Sequence, residues 1–197
     1  MSKVFLETIK ILDGEIFHLE YHQRRFESVF KKFKVQNNIN LKDVIKPPKD
    51  GFYRCRVVYD LSHERQKIEV TYHEYKKRKI NSFKIVFDDE IKYDLKSINR
   101  DSLDNLFAKR DEADEILIVK DSLISDTSIA NIAFYKDTTW FTPKTPLLKG
   151  TTRQRYLDSD KLIEADIKVE DLKNYSKVAL LNAMIGFDTL DTYEFLI

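Results

Sequence analysis

Scarcity of glycine constrains this chain most. Gly14, Gly51, Gly150 and Gly186 are the only four in 197 residues, and each stands alone. A Gly-rich nucleotide loop, whether of the dinucleotide or the P-loop type, needs several glycines in one strand-to-helix turn so that the backbone can approach a phosphate. Folds built on such a loop are excluded. Any phosphate bound here must be met by another arrangement.

The first part of the chain reads as a hairpin followed by a helix. Residues 4–11 (VFLETIKI) alternate apolar and polar, the strand period. Asp13-Gly14 is a hairpin turn signal, and residues 15–19 return as the second strand. From Glu20 the period becomes helical, with Leu19, His22, Phe26, Val29, Phe30 and Phe33 on one face. At ~100° per residue Arg25 falls at the edge of that face, about 40° from Val29. Arg24 falls nearly opposite. Arg25 is therefore the arginine expected to point inward. The same position also suits a side chain snorkelling at the rim of the core. Residues 35–50 are polar and end in Pro47-Pro48, which stop any helix. Residues 51–59 (GFYRCRVVY) and 67–72 (KIEVTY) alternate as two more strands. The basic run KKRK at 76–79 has no aromatic interleaving and reads as a solvated connection rather than a nucleic-acid site. It marks the boundary between a smaller N-terminal α+β lobe, residues 1–78, and a second lobe, residues 79–197.

In the second lobe, residues 83–87 (FKIVF) form a strand. Lys96 is expected where the next extended segment meets a helix of about residues 98–108. Residues 115–119 (EILIV) are a strong strand, Asp121-Ser122 turn the chain, residues 123–125 pair back, and Asp126 follows. Residues 132–135 and 139–142 make a hairpin. Pro143, Pro146 and Gly150 enclose a loop, with Thr151 or Thr152 a plausible N-cap for a helix running to Leu157. Residues 178–182 (VALLN) are a final buried strand.

Composition narrows the function classes. Lys and Arg number 34 against 33 Asp and Glu, a net charge of +1, which gives no argument for nucleic acid or membrane partners. No apolar run is long enough to span a bilayer, and the opening MSKVFLETIK lacks a secretory h-region. The single cysteine, Cys55, excludes an intrachain disulfide and fits a reducing cytoplasm. It lies in an alternating run and reads as a buried strand thiol. The four histidines have no ligand-like spacing with cysteine, so no metal site is expected.

Taken one by one, Lys96, Asp126 and the Gly150-Thr151-Thr152 turn are ordinary: a surface lysine, a turn acid, a helix start. In order, they resemble the class IV aminotransferase family of fold type IV pyridoxal-phosphate enzymes. Phe5-Leu-Glu-Thr8 resembles the family's opening strand, and His22-Gln-Arg-Arg25 its histidine-x-x-arginine helix. Lys96-Ser-Ile-Asn99-Arg100 resembles the lysine segment, with an Asn-Arg pair closest to the aminodeoxychorismate lyase branch. Asp114-Glu-Ile-Leu-Ile-Val, Ile124-Ser-Asp126 and Ala130-Asn131-Ile resemble the strand, acid and asparagine of the second lobe. Leu148-Lys-Gly150-Thr151-Thr152-Arg153 resembles the phosphate turn.

The resemblance implies a two-lobed α+β fold, with an N-terminal α/β sandwich lobe and a β-barrel-like C-terminal lobe carrying the lysine. It implies pyridoxal 5'-phosphate as cofactor and a cytoplasmic homodimer with the site between the lobes, acting on a small-molecule substrate. Lys96 would hold the cofactor aldehyde as a Schiff base and then move protons. Asp126, with Asn131 beside it, would keep the ring nitrogen protonated so that the ring acts as an electron sink. Arg25, Gly150, Thr151 and Thr152 would hold the phosphate. The activity implied is cleavage of 4-amino-4-deoxychorismate to 4-aminobenzoate and pyruvate. A transaminase of a small branched-chain or D-amino acid, or a relative that binds cofactor without turnover, uses the same cofactor residues. Two departures stand out. The family's usual glutamate is aspartate at 126. The chain also starts only four residues before Phe5, so a substrate-side wall is expected to be missing or supplied by a partner chain.

Overall fold

Alternation in the first strand builds the first half of the molecule. The structure, a computed structural model, describes residues 3–62 and 67–197; Met1 and Ser2, from which the late start is counted, lie outside the described residues. The chain divides into two units, Met1–Lys76 with Leu95–Asn99, and Lys77–Asp94 with Arg100–Ile197.

In the first unit, β1 (Val4–Leu12) turns through Asp13 and Gly14 into β2 (Glu15–Ile16). Both turn residues have positive φ, 47° and 82°, as a two-residue hairpin of this twist requires. Helix α1 (Leu19–Phe33) and the short α2 (Leu41–Val44) follow, then β3 (Phe52–Asp60) and β4 (Lys67–Glu74). The sheet runs β2-β1-β3-β4, antiparallel throughout. Phe26, Val29 and Phe30 of α1 share one core with Ile9, Ile11, Cys55, Val57 and Tyr59 from the sheet. Helix α2 lies in a stretch whose polarity predicts none. Asn40 caps it by accepting from Lys42 N at 3.0 Å, and the wholly buried Leu41 anchors it.

Lys96 belongs to this unit and not, as the sequence suggests, to the C-terminal lobe. Leu6 N donates to Lys96 O at 2.9 Å and Ile98 N to Val4 O at 3.1 Å, with a β-bridge between Phe5 and Ser97. The segment is pinned beside β1, so the next helix starts later than expected, at Asp101.

The second unit holds β5 (Ser82–Phe87), α3 (Asp101–Phe107), β6 (Glu115–Lys120), β7 (Leu123–Thr127), β8 (Asn131–Lys136), β9 (Thr139–Pro143), α4 (Thr151–Asp158), β10 (Ile163–Ala165), β11 (Lys177–Asn182), β12 (Gly186–Thr189) and β13 (Glu194–Leu196). They form a sheet in the order β10-β9-β8-β7-β6-β5-β13, with β11 also paired to β8 and carrying β12. One face of four strands fills a single core: Phe83 and Ile85, Leu117 and Val119, Ile132 and Phe134, Val178 and Leu180. The alternate residues face outward onto helices. Ile116 and Ile118 meet Leu103 and Leu106 of α3. Ala133, Ala179 and Leu181 meet Tyr156 and Leu157 of α4. A sheet that encloses one core and carries helices outside is barrel-like, and the whole chain is an α+β fold. The short strands β10, β12 and β13 are absent from the sequence reading. With three or four residues each, they have too few positions to show a period.

Phe26 tests the first core. It is fully buried, with ring centroids 4.7 Å from Phe30 and 4.6 Å from Tyr59. Phe26→Ala is expected to lower unfolding free energy by roughly 3–5 kcal/mol, because the cavity left cannot fully collapse. Urea denaturation of the variant checks it.

Candidate active site

The candidate residues fall into two sets, one in each unit. In the first, Glu7 lies on the inward series of β1 with Phe5, Ile9 and Ile11 and has no exposure. Two residues of α1, one turn apart, converge on it. His22 Nδ1 donates to Glu7 Oε2 at 2.7 Å, Arg25 Nε to Oε1 at 2.9 Å and Arg25 Nη2 to Oε2 at 2.6 Å. Burial alone would push the Glu7 carboxyl up. The Arg25 charge and the hydrogen bonds from His22 and Arg25 win, and bring it down to about 2. Burial pushes His22 down against the pull of Glu7, so its ring is neutral at pH 7 and donates through Nδ1. Lys96 is close enough for its charge to lower His22 further. The helical wheel's choice is met: Arg25 reaches inward to Glu7, while Arg24 is exposed with its guanidinium 4.1 Å from the Tyr21 ring.

In the second unit, Asp126 on β7 stands opposite Asn131 on β8. The intervening turn is fixed by Thr127, whose N and Oγ1 donate to Ala130 O at 3.0 Å and whose Oγ1 accepts from Ala130 N at 3.0 Å. Asn131 Nδ2 donates to Asp126 Oδ1 at 2.7 Å and to Leu148 O at 2.8 Å. Leu148 N donates to Asp126 Oδ2 at 2.9 Å. The loop before α4 is thus tied to the acid. Burial pushes Asp126 up to about 6, because its donors are neutral and only partly offset the loss of water.

Gly150, rather than a threonine, caps α4. Its backbone is extended and its O accepts from Gln154 N at 2.9 Å. A Cβ at this position would lie 2.0 Å from Asn131 Oδ1, so the close approach admits only glycine. Thr151 and Thr152, both buried, open the helix, and their N–H groups are among those a helix leaves to outside acceptors. Arg153 is held away from that role. Its Nη2 donates to Pro143 O at 2.8 Å and to Glu164 Oε1 at 2.6 Å, which fastens α4 to β9 and β10.

Asp126, Asn131, Gly150, Thr151 and Thr152 are therefore gathered in one unit, and Arg25 with Lys96 in the other. Sequence reasoning missed Glu7 and the Leu148 amide. Glu7 had a signal: it is an acid in the inward-facing series of an alternating strand. A backbone amide has none. Among the described residues no cluster of three or more His, Cys, Asp or Glu is placed to hold a metal ion, and no helix is long and apolar enough to cross a membrane.

Residues 4–187 match the family model for class IV amino-transferases. An uncharacterized protein of Haemophilus influenzae is 34% identical over 186 residues, covering 91% of this chain and 97% of that protein. The crystal structure of a "putative 4-amino-4-deoxychorismate lyase" from Haemophilus somnus is 34% identical, with a TM-score of 0.83 over 94% of this chain and 98% of that one. The branched-chain amino acid aminotransferase of Escherichia coli, at 15% identity and a TM-score of 0.75 over 98% and 77% of the two chains, shares the fold.

The acid site yields two tests. Asp126 is raised from its ordinary value to about 6, so the folded chain holds a proton there that the unfolded chain has released between about pH 4 and 6. By linkage this group's contribution to stability falls as pH rises through that window, by about 3 kcal/mol in all. A 13C carboxyl titration of the ligand-free protein should place the Asp126 midpoint near 6; a midpoint in the usual aspartate range would contradict the geometry. Gly150→Ala should push Asn131 off Asp126 and Leu148. It is expected to destabilise the chain by roughly 1–3 kcal/mol in chemical denaturation.

Proposed function

The chain belongs to the class IV amino-transferases, a pyridoxal-phosphate-dependent family of enzymes, and on that premise we propose that it holds pyridoxal 5'-phosphate and cleaves 4-amino-4-deoxychorismate to 4-aminobenzoate and pyruvate. The observation that carries the cofactor is the network joining Asp126, Asn131, Leu148 and Gly150 at the start of α4. This donor set fits the cofactor. A carboxylate that already accepts one hydrogen bond on each oxygen keeps lone pairs for a ring N–H, and a helix start suits a phosphate. The likeness to the Haemophilus somnus protein over nearly its full length supports the lyase reading, as does the Asn99-Arg100 pair.

When bound, the cofactor supplies an electron sink for charge developing on the substrate carbon that bears the amine. Asp126 would accept from the ring nitrogen and, paired with that cation, would stay ionised at neutral pH. Asn131 and the Leu148 amide fix the direction in which the carboxylate points. Thr151 and Thr152 would offer N–H and hydroxyl donors to the phosphate, and on the family likeness Arg25 is the charged candidate for it. Lys96 would be the residue that holds the cofactor through its carbonyl, and its free Nζ would be the base that takes the proton from the substrate carbon bearing the amine. The C–O bond to the enolpyruvyl group on the neighbouring carbon would then break, the substrate ring would become aromatic as 4-aminobenzoate, and the enolpyruvate would take up a proton and leave as pyruvate. Cys55 takes no part, since its buried thiol is pushed up to about 12. On the same family likeness the enzyme works as a homodimer in the cytoplasm, and size-exclusion chromatography with light scattering tests the dimer.

The purified protein with cofactor is expected to be yellow, and borohydride reduction followed by mass spectrometry should tag Lys96. Lys96→Ala should lose the colour and at least 10²–10⁴-fold of the rate, the usual share of general acid–base catalysis. A colourless protein, or a tag on another lysine, contradicts the reading. Formation of 4-aminobenzoate from aminodeoxychorismate, with no keto acid made from a panel of amino acids, separates the lyase from a transaminase.

A further inference from the structure

Among the described residues Glu7 is the one fully buried acid of the first unit, and the reaction above gives it no task. It holds both nitrogens of one edge of Arg25 and the Nδ1 of His22, and it is kept ionised by them. We infer that Glu7 is a positioning residue for phosphate recognition: its carboxylate holds the guanidinium of Arg25 in one orientation, and that orientation sets how Arg25 meets the cofactor's phosphate. The inference rests on the assignment of Arg25 to the phosphate.

Three features support it. The contact is the parallel two-bond fork that orients a guanidinium in plane, which a single bond would not do. The acid sits on β1, within the ladder that β1 makes along the whole of β3, so the anchor is rigid. The second donor, His22, is itself buried and occupies Oε2 from the other side, so the carboxylate cannot swing to follow Arg25. A purely structural acid would be expected to repel a phosphate-binding arginine's ligand by its charge. Here the charge is met by Arg25, and the neutral His22 ring adds a hydrogen bond that holds the carboxylate in place.

The test compares pyridoxal 5'-phosphate with pyridoxal, which lacks the phosphate, by spectral titration of wild type, Glu7→Gln, Glu7→Asp and Arg25→Lys, with folding checked by circular dichroism. Wild type is expected to prefer the phosphorylated form. Glu7→Gln should weaken that preference about tenfold while leaving the affinity for pyridoxal unchanged, and Glu7→Asp, which keeps the charge but shortens the reach, should weaken it as well. In an Arg25→Lys background, Glu7→Gln should have no further effect on the preference. If Glu7→Gln does not fold, Glu7→Asp gives the answer. A preference unchanged in every folded Glu7 variant, or pyridoxal affinity lost in parallel, overturns the positioning role while the cofactor assignment stands. A wild type that shows no preference for the phosphate overturns the assignment of Arg25, and the inference with it.

Discussion

Alternation in the strands decides where Glu7 and Asn131 can stand. Asn131 belongs to the same series on β8 as Ala133, the face that meets α4, while Ile132 and Phe134 fill the inner core. The residues between β8, β11 and α4 include Ala133 and Ala179, and small side chains let a helix approach a sheet closely. Gly150 then completes the approach, because any Cβ there would strike the Asn131 carbonyl oxygen. The acid, the amide and the helix start are brought together by this one close contact. A shift of one residue in the β8 register would turn Asn131 into the core and Ile132 onto the helix.

Two of the buried carboxylates, Glu7 and Asp126, both lose their water and reach opposite states. Glu7 has a guanidinium and an imidazole N–H as partners, and it titrates near 2. Asp126 has an amide side chain and a backbone N–H, and it titrates near 6. The gap follows from the charge of the partners, since hydrogen bonds to charged groups are worth about twice those to neutral ones. Glu7 is therefore a permanent anion built into the first unit. Asp126 sits close enough to neutrality that an approaching cation decides its state. On the proposed cofactor reading, a protonated ring nitrogen would be the charge partner that this carboxylate lacks.

Much of this was legible in the residues, and the exceptions have physical reasons. The helical wheel separated Arg25 from Arg24 because a 15-residue helix offers several turns of a clear apolar stripe. The Asp13-Gly14 turn was legible because positive φ at both positions selects those residues. Lys96 was placed on the wrong unit, since its attachment runs through backbone bonds to Val4 and Leu6 that any side chain could make. Thr151 and Thr152 were proposed as caps where Gly150 caps, because a glycine cap is set by a steric contact with Asn131, nineteen positions earlier in the chain. Glu7 was written in the strand's own period and passed over, since acids on alternating strands are usually read as the exposed face.

The aspartate at position 126 then fits its surroundings. With one methylene fewer than glutamate, its carboxylate stays close to β7, within reach of the Leu148 amide and the Asn131 side chain at the same time. A longer acid would have to fold back to keep both contacts or give one of them up. Each bond restricts one oxygen, so together they fix the carboxylate plane more firmly than either alone. What the shorter side chain loses in reach toward a ring nitrogen it gains in fixed direction, and direction is what an acid needs if it is to hold a ring in a single orientation while a proton moves at the far end.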